Sequence, residues 1–204
     1  ENFVRAIRTA VGKSCDILFG SHGQMTPASA IRLAKRIEKF DPMWLEEPTP
    51  PANITAMASI AKKINIPVAT GERLTTKYEF IALLKEEAAS IVQMNLGRVG
   101  GILEAKKIAA IAEASYAQVA PHMYCGPIIA AANVQVAASI SNFLIIEGIE
   151  TWSGFDASLI IDPLKWEDGY IVPSDKPGLG IEINENKLEE YPYKESKLHL
   201  EMSD

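Results

Sequence analysis

The sequence contains only two cysteines, Cys15 and Cys125, in 204 residues. A disulfide framework is therefore not expected, and the cytoplasm is the compartment we expect for such a chain. No apolar run approaches the roughly 18 residues that a membrane-spanning helix needs, so we expect no membrane contact. Lysine and arginine form no block, and the net charge of −6 disfavours a nucleic-acid surface.

What the chain does have is a regular series of short apolar runs. Hydrophobic residues make up 48% of the sequence and charged residues 23%, which is typical of a globular domain. Six of the runs end on a polar residue or a glycine, and successive ends lie 23 to 27 residues apart. These ends are Gly20, Glu46, Glu72, Asn95, His122 and Glu147. Buried parallel strands have this form, and the spacing leaves room for one return helix per strand.

The alternation of strands and helices predicts an α/β fold with parallel strands joined by right-handed crossovers. An open doubly wound sheet would also satisfy the alternation. We favour a (β/α)-barrel of the TIM type, because acidic residues and histidine finish successive strands instead of clustering at one switch point. We assign residues 1–161 to the last six strand units of a partial barrel and residues 162–204 to a C-terminal appendage of the same domain. The appendage contains a hairpin at 166–172 and a polar segment at 183–204 that we expect to be extended or to form a short helix.

The beginning of the chain suggests that more sequence precedes it. The chain starts at Glu1 without methionine, inside a helical pattern at residues 2–11. A complete barrel of eight units takes ~250 residues, and only six strand ends are present. We therefore expect the barrel to be incomplete at its N-terminus and the first strands to lie upstream.

Two glutamates at matching positions are candidate metal ligands. Glu46 and Glu72 each stand where a strand ends, on strands that follow one another in sequence and should be neighbours in the barrel. Magnesium favours carboxylate oxygens combined with water. Either glutamate alone would more simply be a solvated loop residue or an ion-pair partner, and the repeated position is what favours a metal site.

Three further strand-end residues could move protons or hold a ligand. His122 follows Pro121 at a strand end and could be a general base, because histidine exchanges protons near neutral pH. His22 follows an earlier strand and could face His122 and act as an acid, and Glu147 could be a proton donor or a substrate anchor. A lone loop histidine is more often a polar surface residue, and His199 in the polar tail receives no role.

Taken together, these residues resemble the enolase superfamily, in its mandelate racemase and muconate lactonizing branch. The resemblance covers nearly the whole chain and is most specific at five segments. They are Trp44-Leu45-Glu46-Glu47-Pro48, Ala69-Thr70-Gly71-Glu72-Arg73, Val99-Gly100-Gly101, Ala120-Pro121-His122 and Asn142-Phe143-Leu144-Ile145-Ile146-Glu147. Within that branch, Ser21-His22-Gly23 and the segment at Pro177 are most similar to sugar-acid dehydratases of the galactonate dehydratase type.

The resemblance implies magnesium-dependent dehydration of a sugar acid (an aldonate), by proton abstraction next to the carboxylate through an enediolate intermediate. It gives Glu46 and Glu72 two of the three metal-ligand positions. It makes His122 the base and His22 the acid, and Glu147 matches the glutamate of the last barrel strand. It also implies that the full-length protein forms homo-oligomers.

Two positions depart from the family pattern. Gly20 stands where the family has its third metal ligand, an aspartate, and glycine has no ligand atom in its side chain. Asn95 stands where the family has an aspartate paired with the base, so the amide could orient the His122 ring but brings no charge to stabilise its protonated form. Alternatively, the Asn95 oxygen could face the metal.

These departures leave two further functions open. A catalytically impaired homologue could retain the fold and bind acid sugars. A racemase or epimerase of the same superfamily would need an opposite-face lysine from the second barrel strand, which is not in this sequence. The sequence does not identify the sugar acid.

Overall fold

The computed structural model describes residues 1–148 and 152–192. The strands of its main sheet are β1 (Ile17–Gly20), β2 (Pro42–Glu46), β3 (Val68–Thr70), β4 (Ile91–Val92) and β5 (Gln118–Val119). The helices up to β5 are α1 (Asn2–Val11), α2 (Pro27–Ile37), α3 (Ile54–Ala61), α4 (Lys77–Lys85), α5 (Leu96–Val99) and α6 (Ile102–Ala114), with a 3-10 turn at Glu38–Phe40. The later elements are α7 (Pro127–Ala137), α8 (Gly154–Ser158), β6 (Lys165–Glu167), β7 (Tyr170–Val172) and α9 (Glu185–Glu190).

The sheet is parallel throughout, and its strands are hydrogen-bonded in the order in which they occur in the sequence, β1-β2-β3-β4-β5. A doubly wound sheet would reverse this order at a switch point. The helices that join the strands also contact one another in succession, α2 with α3, α3 with α4, α4 with α6 and α6 with α7. One layer of helices therefore follows one sheet, which confirms the prediction of an α/β fold of the barrel type.

The helices begin where the sequence supplies capping groups. The side chain of Thr26 accepts a hydrogen bond from the backbone N–H of Ser29, and proline follows at the first position of α2. Asn53 caps α3 in the same way. Thr76 and Glu79 form a reciprocal capping box at the start of α4. Each cap satisfies backbone donors that a helix leaves unpaired at its beginning, which fixes where the chain turns from loop to helix.

The two faces of the sheet are packed differently. On the outer face a large core lies between strands and helices and includes the fully buried Ile37, Leu45 and Phe80. On the inner face a smaller cluster is formed by Trp44, Ala69, Ile91 and Ala120, with Met43 and Leu144 against it. Because side chains alternate between faces along a strand, the residue two after Trp44, Glu46, lies on the inner side with it.

The sixth predicted strand, at 143–146, is reduced to a single parallel bridge between Phe143 and Val119. Val119 donates its N–H to the Asn142 carbonyl and accepts from the N–H of Leu144. The next residue after β5 whose N–H would face this side is two positions beyond Val119, and it is Pro121, which has no N–H. The prediction of a full strand was therefore wrong, although the chain runs where that strand was expected.

The C-terminal segment packs on α7 and on the end of the sixth apolar run, residues 143–147. Its core contains Leu164 and Ile171, which lie against Met123, Ala130 and Val134. The predicted hairpin at 166–172 is present as β6 and β7. The polar end contains the short helix α9, whereas residues 193–204, including His199, and residues 149–151 lie outside the described part. The boundary at residue 161 stays a prediction.

Within residues 1–148 and 152–192, every helix is too short or too polar to cross a membrane.

Candidate active site

Four of the predicted site residues stand at the same edge of the sheet. Glu46 is the last residue of β2, and Glu72, Asn95 and His122 follow β3, β4 and β5 by two or three positions. All five strands are parallel, so their carboxyl ends share one edge. In barrels of this type that edge is where ligand-binding and catalytic groups gather.

The turn after β3 depends on a glycine. Gly71 has a φ of +136°, and a Cβ placed there would lie 2.8 Å from Cε1 of Phe80 and 3.1 Å from the backbone nitrogen of Gln93. Only glycine tolerates both the backbone conformation and this close approach. The turn then presents Glu72, whose side chain is only 12% exposed, at the edge of the sheet.

His122 lies at the centre of a cluster of polar side chains. Its Nε2 is 3.7 Å from Oε2 of Glu72 and 3.8 Å from Oε2 of Glu147. Its Nδ1 is 2.8 Å from Nδ2 of Asn95. The side chain is 19% exposed, so it is partly accessible. The structure thus brings together four residues that the sequence singled out.

Asn95 makes a second contact that holds its side chain in place. Its Oδ1 accepts a hydrogen bond of 2.9 Å from the backbone N–H of Gly97 and thereby caps α5. The side chain is buried, with 7% exposure of the residue. The oxygen is therefore directed at the backbone of α5, and the alternative in which it faces a metal is wrong for this conformation.

Glu147 is anchored by the backbone, although its side chain is 46% exposed. Its Oε2 accepts a hydrogen bond of 2.7 Å from the N–H of Met123. This contact connects the sixth run to the loop that follows β5. One carboxylate oxygen is thus fixed beside His122, while the exposed remainder of the group can meet a ligand.

Glu46 is held by donors on the inner face of the sheet. Its Oε2 accepts from Nε2 of Gln93 at 2.7 Å and from Nε1 of Trp44 at 3.2 Å. Its Oε1 is directed toward Gly20, where a Cβ would lie 3.9 Å away. Beside this carboxylate is a cavity of about 190 Å³. The cavity is lined by Leu18, Trp44, Glu46, Gln93, Ala120, Ile145, Ile146 and Glu147.

A larger groove of about 630 Å³ lies between α7, the sixth run and the β6–β7 hairpin. Its walls are mainly apolar, and they include none of the polar strand-end residues. The chemistry of the strand ends therefore points to the smaller cavity as the candidate site.

His22 stands outside the His122 cluster. It is exposed and has a φ of +52°. Its backbone carbonyl accepts a hydrogen bond of 2.8 Å from Nη2 of Arg73. The structure therefore ties the backbone of His22 to the rim of the site through Arg73 and leaves the imidazole in solvent.

Glu47 is a buried carboxylate that the sequence reasoning missed. It is 0% exposed, accepts hydrogen bonds from the Thr70 hydroxyl and the Gly71 N–H, and has no hydrogen-bond donor to Oε2 among the described residues. Burial raises the pKa of Glu47, and this effect outweighs Arg73, whose Nε is 3.8 Å from Oε2.

Arg73 and Gln93 were also missed. The Nε of Arg73 is 3.6 Å from Oε1 of Glu72, so this cation lies against two carboxylates. For Gln93 the signal was in the sequence: it is the one polar residue within the run Ile91–Met94, and it stands two positions before Asn95, on the same face of the strand. For Glu47 and Arg73 no periodicity could have indicated the contact, because both lie in irregular turns.

The described residues do not complete the predicted magnesium site. Within residues 1–148 and 152–192 there is no group of three or more His, Cys, Asp or Glu side chains placed to share a metal ion. Glu46 and Glu72 contribute two carboxylates, and Gly20 contributes none. The donor set therefore falls short of the three carboxylates that the family pattern requires.

Comparison with known proteins identifies what this arrangement is similar to. The model of the family "Enolase C-terminal domain-like" matches residues 1–187. A D-gluconate/D-galactonate dehydratase of Picrophilus torridus is 35% identical over 193 residues, which are 94% of this chain and 49% of the relative. A D-xylonate dehydratase of Haloferax volcanii is 36% identical over 91% of this chain and 45% of its own length.

A solved structure shares the fold over the same extent. The mandelate racemase/muconate lactonizing enzyme-like protein from Roseovarius sp. TM1035 has a TM-score of 0.90 and 55% sequence identity. The match covers 97% of this chain and 49% of that one. The chain thus spans about half the length of the curated relatives and of the solved structure it matches.

Proposed function

The chain belongs to the enolase superfamily, in its mandelate racemase/muconate lactonizing branch, and from this premise we propose that it supplies strand-end catalytic groups to a protein that dehydrates a sugar acid. The observation that carries the proposal is the cluster of His122, Glu72, Glu147 and Asn95 at the carboxyl ends of the strands. The curated relatives named above act, by name, on gluconate, galactonate and xylonate. An aldonate is therefore the substrate class we assign.

The proposed reaction removes the proton at C2 of the aldonate and the hydroxyl at C3. One group of the protein accepts the C2 proton, and the C3–O bond breaks as the hydroxyl takes up a proton and leaves as water. The enol that results becomes a 2-keto-3-deoxy acid when C3 takes up a proton and the enol hydroxyl at C2 loses one. His122, Glu72 and Glu147 are close enough to one another to share these proton movements. His22, the acid by resemblance, would have to reach the ligand from the rim.

The cavity that would receive the sugar acid has two carboxylates and one amide among otherwise apolar walls. The 190 Å³ cavity is bordered by Glu46 and Glu147, and Gln93 supplies a neutral donor in its wall. Hydroxyl groups of a sugar acid can donate to such carboxylates and accept from such an amide. These contacts support a polyhydroxy ligand over an apolar one.

Magnesium binding is a proposal that rests on the family resemblance. Glu46 and Glu72 are the residues that would hold it, but the described donor set does not fit the site of three carboxylates. We therefore base no step of the reaction on the metal, and we expect weak magnesium binding in the wild-type protein.

A second function, binding of acid sugars without turnover, is favoured by one specific observation. The two chemically demanding positions, Gly20 and Asn95, both lack the carboxylate that the family uses there. An enzyme that lost a metal ligand and the charge beside its base would retain the fold and the cavity beside Glu46. Binding without product is the result that distinguishes this function from the first.

The test is an activity screen of the protein at its full encoded length, with gluconate, galactonate and xylonate among a library of aldonates. Formation of a 2-keto-3-deoxy acid from at least one of them is expected, and His122→Gln should abolish it. The matched control is His199→Gln, which changes the histidine to which we assign no role. Calorimetric binding of an aldonate with no product would support the second function, and neither binding nor product would overturn both.

A further inference from the structure

The orientation of the Asn95 amide is determined by the backbone of α5. The N–H of Gly97 requires an acceptor and finds it in Oδ1 of Asn95 at 2.9 Å. If the amide were turned around, its NH₂ group would face that N–H, and two donors would meet. Leaving a buried donor unpaired costs about 1–3 kcal/mol, so the cap directs the oxygen of Asn95 to α5 and its NH₂ group to His122.

This orientation decides which nitrogen of His122 carries the proton. The NH₂ group of Asn95 can only donate, and its Nδ2 lies 2.8 Å from Nδ1 of the ring. At that distance Nδ1 has to be the acceptor, with a free lone pair. A neutral imidazole with a lone pair on Nδ1 carries its proton on Nε2. A doubly protonated ring would place Nδ1–H against the amide hydrogens.

We propose that Asn95 is a positioning residue that fixes His122 as the neutral Nε2–H tautomer, so that this ring offers the site a hydrogen-bond donor instead of a lone pair. An aspartate at the same position could cap α5 with one oxygen and accept from Nδ1–H with the other. That pair would leave the lone pair on Nε2, as a general base requires. The amide of Asn95 reverses the arrangement.

The surroundings of Nε2 agree with a donor at this atom. The nearest charged groups are the carboxylate oxygens of Glu72 and Glu147, at 3.7 and 3.8 Å. Both are acceptors, and both are slightly too far away for a direct hydrogen bond. An Nε2–H between them is free to donate to an oxygen of a bound ligand, such as a hydroxyl or carboxylate of a sugar acid.

The consequence for the reaction rests on the proposed function, whereas the tautomer does not. A neutral imidazole can stabilise a ligand oxygen by a hydrogen bond, but with its proton on Nε2 it has no lone pair there to accept the C2 proton. The groups with free lone pairs that remain at the strand ends are the carboxylates of Glu46, Glu72 and Glu147 and the exposed His22. His122 would then hold and polarise the ligand while one of these accepts the proton.

The test is nitrogen NMR of the full-length protein labelled with ¹⁵N-histidine, recorded without substrate at alkaline pH, where histidine rings are neutral. The His122 signals are assigned by their loss in His122→Gln. In the wild type we expect Nε2 to show the shift of a protonated ring nitrogen and Nδ1 that of an unprotonated one. Asn95→Asp should exchange the two shifts, because the carboxylate accepts from Nδ1–H.

Asn53→Asp is the matched control. It makes the same change at another helix cap, where Oδ1 accepts from the N–H of Ala56 at 3.0 Å, and it should leave the His122 signals unchanged. A protonated Nδ1 in the wild type, averaged shifts, or no exchange in Asn95→Asp would each overturn the inference. Because no substrate is present, absence of dehydratase activity would count against the proposed function and leave this result intact.

Discussion

Gly20 and Glu46 are register partners on adjacent strands, and a Cβ placed on Gly20 would lie 3.9 Å from Oε1 of Glu46. Among the described residues outside its own chain neighbours, that oxygen is the only atom within 4 Å of the added Cβ, and the backbone of Gly20 is not in the left-handed region. A longer side chain therefore has room to stand beside the Glu46 carboxylate. If the family pattern of metal ligands applies, an aspartate at position 20 would supply the third carboxylate beside Glu46.

Replacing Gly20 by aspartate should create a tighter magnesium site. The new carboxylate would join Glu46 and Glu72 as an oxygen ligand, and we expect the dissociation constant for Mg²⁺ to fall on the order of tenfold, ~1.4 kcal/mol. Calorimetric titration of the full-length protein with MgCl₂ measures it. Gly20→Asn is the matched control of nearly equal size without the charge and should give a smaller gain.

Glu46→Gln in the Gly20→Asp background should remove the gain in Mg²⁺ affinity.

The double variant Gly20→Asp with Asn95→Asp should also show higher dehydratase activity. If Gly20→Asp and Gly20→Asn bind Mg²⁺ equally, the family arrangement of metal ligands does not apply to this chain.

Replacing Glu47 by glutamine should make the protein less sensitive to rising pH. Burial raises the pKa of this carboxyl above its ordinary value of 4.5 in the folded state, so the folded protein retains a proton that the unfolded chain has lost. Stability therefore falls as the pH rises from 4.5 toward the folded pKa, with a slope of at most about 1.4 kcal/mol per pH unit. Glutamine remains neutral and removes this slope.

Urea unfolding of Glu47→Gln and wild type at several pH values gives the comparison. The free energy of unfolding of Glu47→Gln should increase relative to that of the wild type as the pH rises above 4.5. Glu86→Gln, at an exposed position after α4, serves as the control and should show no such trend. A pH dependence identical to that of the wild type would show that Glu47 is not protonated in the folded protein.

Alanine at Gly71 should destabilise the fold more than alanine at Gly101. Both glycines have a positive φ, +136° and +90°, so both substitutions strain the backbone. A Cβ at Gly71 also meets Phe80 and the backbone of Gln93, whereas one at Gly101 meets nothing within 4 Å in the part of the chain that the structure describes. We expect a difference of roughly 1–3 kcal/mol from the added overpacking, measured by urea unfolding. Equal losses would show that the turn before Glu72 can relax.

The strand–helix series could be predicted because it depends on local properties. Thr26, Asn53 and Thr76 begin helices since their side chains accept from backbone donors nearby in the sequence. The prediction of a sixth strand was wrong because strand pairing depends on both partners. Pro121 removes a backbone donor just after β5, and only a single bridge forms. The compartment and the oligomeric state stay predictions.

The sequence predicted that several strand-end residues would lie close together, but it did not predict their contacts. The strand ends predicted that Glu72, His122 and Glu147 would meet. That Asn95 would cap α5 with its oxygen, and so turn its NH₂ group to His122, depends on a four-residue helix in a segment where the sequence indicated only a loop. The buried contacts of Glu47 and Arg73 form across turns for which no periodic pattern exists.

Proton NMR of an aldonate incubated in D₂O with the full-length protein tests the proposed dehydration most directly. Loss of the C2 hydrogen and of the C3 hydroxyl, followed by uptake of solvent hydrogen, should give a 2-keto-3-deoxy acid with one deuterium at C3. His122→Gln should give no product. An aldonate that binds but keeps its C2 hydrogen and its C3 hydroxyl, across gluconate, galactonate and xylonate, would contradict the proposal that this site dehydrates sugar acids.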